Sequence, residues 1–194
     1  STRSAIICTR SLPMLKRFYP YAHTDSVFSI DYDKLYDKGF RGILFDIDNT
    51  LVHHGDNSNE QVDALFRQIH SAGLKTLLLS NNTEERILRF LKNIDSLYIP
   101  DADKPNPECY LKALQMLGLK KEETIVIGDQ LFTDIYGANR CDIPSILVDF
   151  IRQPGVSKIG KKRQLERLIL WFCHRSSFCC RLDDICIKNQ NGGN

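Results

Sequence analysis

Short runs of β-branched and leucine-rich residues alternate along this chain with stretches whose apolar positions recur every three or four residues. The runs at 42–47, 75–79, 124–127 and 145–148 read as buried strands, and 97–99 as a shorter one. Between them, 59–71, 83–94, 107–117 and 131–140 read as helices. Thr83 before Glu84 and Glu85 places a cap and negative charge at a helix start. Pro107 suits a first helical position, and Gly73 and Gly118 suit helix ends. Strands alternating with helices predict a parallel sheet covered on both faces, a Rossmann-like doubly wound α/β fold.

Beyond residue 157 the pattern changes. Leu165, Leu168, Ile169 and Phe172 fall at i, i+3, i+4 and i+7, with Lys161, Lys162, Arg163 and Arg167 mostly elsewhere around the helix. The expected organisation is a core over 1–157 with a basic N-terminal segment, then a basic amphipathic helix and polar tail over 158–194. Amphipathic helices usually face a core, so the four apolar residues are expected to cover the sheet. The competing expectation rests them in a membrane interface, with the bases meeting anionic lipid.

The 194 residues are 42% hydrophobic and 26% charged, enough for one packed core. The longest apolar run, 168–173, falls far short of the roughly 20 residues that span a bilayer. The first residues carry Arg3, Arg10, Lys16 and Arg17 but no apolar stretch with a cleavage site, so no secretory signal is expected. The seven cysteines show no disulfide or CxxC spacing, and Cys173, His174, Cys179, Cys180 and Cys186 read as incidental thiols rather than a zinc site. A cytoplasmic location follows, with peripheral membrane contact as the alternative. Net charge is +2, but the ends are basic and residues 25–157 are net acidic, which argues against a nucleic-acid groove.

In an open parallel sheet, ligands bind beyond the carboxyl ends of the strands. The residues just past the hydrophobic runs are Asp46 and Asp48, then Ser80-Asn81-Asn82, then Gly128-Asp129, with Lys104 in the loop after the short strand. Singly, each has a bland explanation as a turn, a cap or a surface charge. Together at one sheet edge they suit phosphoryl transfer. A phosphomonoester repels an anionic nucleophile, so a carboxylate attacks it only where a divalent cation neutralises the site. Asp46 and Asp129 offer hard oxygen ligands for Mg²⁺, with Asp134 a further one and the Asp48 main-chain carbonyl also able to face the metal. Asp46 is the candidate nucleophile, forming an aspartyl-phosphate. Asp48 is the candidate acid and base. Ser80, Asn81 and the N–H groups after them can bind phosphate oxygens, and Lys104 can stabilise developing charge.

This ordered set resembles the haloacid dehalogenase superfamily: Asp46-Ile47-Asp48-Asn49-Thr50 as first motif, Ser80 as second, Lys104 as third, and Gly128-Asp129 with Asp134 as fourth. An acid at position 48 resembles its phosphatases rather than its dehalogenases. A closer likeness over about 20–175 is to the capless subfamily IIIA phosphatases of the YqeG type, related to phosphatidylglycerophosphate phosphatases. It is carried by Ser29-Ile30-Asp31, the four motifs, Asn139-Arg140 and 163–170. From Asp48 to Ser80 is 32 positions and from Ser80 to Lys104 is 24, too few for a cap domain of at least about 50 residues.

An uncapped site suits a phosphate displayed on something large. The resemblance implies a phospholipid phosphate such as phosphatidylglycerophosphate. The alternatives are a soluble phosphatase for nucleotides, sugar phosphates or phosphoproteins, and a non-catalytic phosphate-binding module. His53 and His54 follow the first motif and read as a solvated loop that could instead touch a leaving group.

Overall fold

The computed structural model of the protein describes residues 14–151, 160–176 and 181–186. Six strands form one wholly parallel sheet: β1 (Ala22–Thr24), β2 (Gly42–Phe45), β3 (Lys75–Leu79), β4 (Leu97–Ile99), β5 (Thr124–Gly128) and β6 (Ser145–Val148). Their order is β1-β6-β5-β2-β3-β4. The chain winds outward from β2 to β4, then returns to β5 on the other side of β2. That reversal opens a crevice at the carboxyl ends of β2 and β5, where doubly wound sheets bind ligands.

All four residues of β2 are buried, because helices lie on both sides of it. Ile43 and Phe45 face α1 (Tyr32–Asp37), α2 (Glu60–Ser71) and α3 (Glu84–Phe90). Leu44 joins the opposite layer with α4 (Pro107–Leu117) and α5 (Tyr136–Arg140). The amphipathic spacing that predicts α2 buries Val62, Leu65, Phe66 and Ile69 at i, i+3, i+4 and i+7. Asn59 caps that helix by accepting from the Val62 N–H.

Several boundaries differ from the sequence reading for local reasons. The strand expected over 42–47 is β2 and stops at Phe45, since Asp46 begins a turn in which the Ile47 carbonyl accepts from Leu51 at 2.9 Å. Thr83 occupies a cap position but its side chain makes no capping hydrogen bond. The segment expected to be one helix over 131–140 opens as a π-helical turn, Leu131–Ile135, before α5.

The helix α6 (Lys161–Cys173) packs over the π-helical turn and the end of β6, but not through the expected face. Ile169 and Cys173 meet Tyr19, Leu131, Ile135 and Leu147, and Glu166 is buried on the same side. Leu165, Leu168 and Phe172 are instead about half exposed, at 50%, 52% and 43%, with Trp171 beside them. Residues 181–186 return to the core, where Ile185 is buried and the Asp31 N–H donates to its carbonyl. Cys179, Cys180 and 189–194 lie outside the described residues. Among the described residues no helix is long and apolar enough to cross a membrane.

Candidate active site

Asp46 leaves the end of β2 with its N–H donating to the Ile127 carbonyl of β5, which fixes the side chain at the crevice. The turn after it closes through Asn49, whose φ of 65° is one of the left-handed conformations asparagine tolerates. Thr50 thereby returns to the site, its hydroxyl 3.2 Å from Asp46 Oδ2 and 3.3 Å from Asp129 Oδ1.

Lys104 enters from the loop after β4 with its side chain only 4% exposed. Its Nζ donates to Asp46 Oδ1 and Asp134 Oδ1, both at 2.7 Å. The π-helical turn delivers Asp134, which accepts from the Gln130 N–H at 3.1 Å. A glycine is required at 128, because a Cβ there would stand 2.4 Å from the Asp134 carboxyl. One oxygen from each of Asp46, Asp129 and Asp134 lies within 4.8 Å of the others.

Charge is out of balance in this cluster. The carboxylates of Asp46, Asp129 and Asp134 face two cations, Lys104 and Arg163, and Arg163 is shared with Glu166. Burial, together with repulsion from Asp134, raises the Asp46 carboxyl to about 6 against the pull of Lys104 and Thr50. Burial and repulsion from Asp134 and Asp46 raise Asp129 to about 7, with Arg163 opposing. Burial alone would lower the Lys104 pKa, but Asp134 and Asp46 outweigh it and raise it. Hard oxygen donors that outnumber the neighbouring cations fit a divalent cation.

Asp48 lies apart from that trio, turned toward α3. Its Oδ1 accepts from the Gly55 N–H at 2.9 Å and from Arg86 at 3.0 Å, and its Oδ2 from Asn82 at 2.5 Å. Burial works to raise its pKa, but these donors and His54, 3.5 Å away, prevail and hold it below the ordinary carboxylate value. Ser80 is buried and its Oγ accepts from Asn82. Asn81 faces the main chain of Lys104, accepting from its N–H at 2.8 Å and donating to its carbonyl at 3.3 Å. It thus anchors the lysine loop from behind, with its amide already occupied. His54 is exposed, and His53 is partly buried with Nδ1 lacking a hydrogen-bond partner.

Sequence reasoning misses several residues here. Arg86 of α3 passes as a surface charge in the helical pattern, yet its guanidinium is buried against Asp48. Arg163 of α6 likewise reads as one of a basic run. It pairs with Asp129 Oδ2 and donates to the Asp129 carbonyl at 2.6 Å, while Glu166 accepts from it at 3.0 Å. The other Glu166 oxygen accepts from the Leu131 N–H. A signal does exist: Glu166 is the lone acid in a basic helix, three residues from Arg163.

A relative from Bacillus subtilis named "Probable phosphatase YqeG" is 35% identical over 159 residues, covering 81% of this chain and 92% of that protein. The chain belongs to the haloacid dehalogenase-like hydrolases. The model of that family matches residues 55–142. "Pyrophosphatase PpaX" of Halalkalibacterium halodurans is 29% identical over 119 residues, 52% of this chain and 55% of that one. An uncharacterized protein from Listeria monocytogenes shares the fold at a TM-score of 0.51 and 16% identity, with 71% of this chain and all of that one covered. The enzyme is a haloacid dehalogenase-type phosphatase of the YqeG type. Between its first and third motifs, α2–β3 and α3–β4 take up the chain, leaving no cap among the described residues.

Proposed function

We propose that this phosphatase uses Mg²⁺ and an Asp46 nucleophile to hydrolyse the terminal phosphate of a phospholipid, with phosphatidylglycerophosphate as the leading substrate. The observation behind the chemistry is the trio of Asp46, Asp129 and Asp134, drawn together with more negative charge than Lys104 and Arg163 balance. Those three side chains would hold the metal, with the Asp48 main-chain carbonyl as a further ligand. When bound, the cation supplies charge neutralisation for an attack by one anion on another.

Asp46 then attacks phosphorus, forming an aspartyl-phosphate as the leaving-group oxygen departs with a proton from Asp48. Arg86, Asn82 and Gly55 favour the ionised form of Asp48, which suits the second half, where it takes a proton from the attacking water. For the first half it must be protonated, and a neighbouring phosphate dianion favours that by raising its pKa. Lys104 fixes the nucleophile's orientation and offsets charge developing on the transferred group. Ser80 and the N–H groups after it line the phosphate side.

Lipid as the substrate is supported by the uncapped crevice and by α6. Its outward face combines Leu165, Leu168, Trp171 and Phe172 with Lys161 and Arg167, and exposed Arg175 follows just past the helix end. That pairing of apolar and cationic groups suits the interface of an anionic membrane. Magnesium-dependent phosphate release from phosphatidylglycerophosphate in mixed micelles should vanish in Asp46→Asn. Turnover of soluble phosphate esters in preference to the lipid would refute the substrate, and unchanged turnover by Asp46→Asn would refute the mechanism. Sedimentation with anionic vesicles should fall sharply in Leu168→Glu with Trp171→Glu, and binding equal to wild type would end the membrane reading.

A further inference from the structure

A cavity of about 620 Å³ lies between α6 and the carboxyl ends of β1 and β6, and Asp129 forms part of its wall. The volume is within the roughly 300–1,000 Å³ usual for small-molecule sites. It stands at the same sheet edge as the carboxylate trio, displaced toward β6, so an occupant would abut the metal-side carboxylate. From this geometry we infer that the cavity receives the leaving group of the substrate, and that Arg167 binds a second anionic group on it. The inference rests on the phosphatase reading and deepens it, since α6 would then perform the enclosing task of the missing cap.

The charges of the wall point to that ligand. Each lining acid already has a partner: Asp149 meets His23 at 2.9 Å, while Asp129 and Glu166 both take Arg163. Arg167, one helical turn beyond Arg163, lines the cavity and pairs with no acid among the described residues. Its guanidinium can grip a phosphodiester or a carboxylate with two parallel hydrogen bonds, and a ligand covering it would exclude the water that now screens it. Phe150, Leu170 and Trp171 supply apolar walls against which a carbon backbone can lie. Each lining acid is already engaged, and Arg167 is the guanidinium of the wall with no acid partner among the described residues, which favours an anion over a neutral alcohol.

The single tryptophan of the chain, Trp171, lines this cavity and so reports on its contents without catalysis or metal. Glycerophosphoglycerol represents a lipid-type leaving group, glycerate a free carboxylate metabolite, and glycerol the neutral control. Titration of the full-length protein with glycerophosphoglycerol should change Trp171 fluorescence saturably, glycerol should not, and Arg167→Gln should weaken the binding about tenfold. A response to glycerate alone would keep the anion site but assign it to soluble metabolites. In kinetics, Arg167→Gln should lower kcat/KM for glycerophosphoglycerol phosphate about tenfold more than for glycerol 3-phosphate. Absence of any fluorescence response, or equal losses on both substrates, would overturn the inference. Hydrolysis of para-nitrophenyl phosphate separates the failures: if it persists while the cavity stays silent, the subsite falls and the phosphatase reading stands. Arg167 is exposed, and an unchanged melting temperature verifies that its variant folds.

Discussion

Replacing Lys104 with methionine keeps most of the side chain's length and removes its charge. The ammonium sits 2.7 Å from Asp46 and from Asp134 with its side chain 4% exposed, so water cannot replace it. Leaving a buried ion pair without one partner costs about 3–5 kcal/mol. Here the loss falls on a cluster of three carboxylates with Arg163 as the remaining cation. The penalty is electrostatic, so protonating the carboxylates should relieve it. Urea denaturation of metal-free protein at pH 8 should therefore place Lys104→Met about 3–5 kcal/mol below wild type. At pH 5 the gap should shrink by about half or more, because each proton taken up removes one uncompensated charge. A loss below about 1 kcal/mol, the ordinary value of an exposed pair, would show that the lysine is not holding the trio together. A large loss independent of pH would assign the effect to packing instead.

Related consequences follow from the same cluster. In metal-free wild type, Asp46 and Asp129 have folded values of about 6 and 7 against an ordinary 3.8. Groups raised on folding bind protons better in the folded state, so their destabilising effect is absent below about 3.8 and grows until pH passes about 7. Asp48 is shifted the other way and acts below that window. The apo protein should melt at a higher temperature at pH 5 than at pH 8, and saturating Mg²⁺ should raise the pH 8 value most; a flat or reversed profile would contradict this. Gly128→Ala would push a Cβ into Asp134, an overpacking worth about 1–3 kcal/mol. Calorimetry should find weaker Mg²⁺ binding in that variant, and wild-type affinity would show that Asp134 is not needed where it stands. Arg86→Met removes a buried donor from Asp48, and phosphate release should fall about tenfold or more, as for loss of a charge-assisted contact. Full activity would show that Asn82 and Gly55 suffice to hold Asp48.

The central strands are legible because both of their faces are covered, so each appears as a continuous apolar run. By contrast β1 is Ala-His-Thr, three residues with no such pattern, and it is a strand only because Ala22, His23 and Thr24 pair with Ile146, Leu147 and Val148 of β6. Six-residue α1 is equally short for a periodic signal, and its Asp31 cap is the local feature that marks it. In the site, Asp46, Lys104, Asp129 and Asp134 are legible because each follows a strand or its loop. Arg86 and Arg163 are not, since a helical arginine has the same sequence appearance whether it meets water or a buried carboxylate.

The case of α6 shows how that ambiguity propagates. Counting apolar residues at helical spacing selects Leu165, Leu168, Ile169 and Phe172 as the inward face, yet the helix turns Glu166, Ile169 and Cys173 inward instead. A buried glutamate would normally forbid that rotation. Here its two oxygens accept from Arg163 and the Leu131 N–H, and Arg163 in turn satisfies Asp129. The polar contacts that complete the site thus set the rotation of the helix, and the rotation leaves three large apolar side chains and Trp171 outside. The orientation that brings Arg163 to Asp129 is therefore the one that leaves exposed the basic, apolar face proposed above to meet a membrane. The two proposals share one cause, so removing Arg163 should disturb both the site and vesicle binding, whereas changes confined to Leu165 and Leu168, which lie outside the cavity wall, should disturb vesicle binding alone.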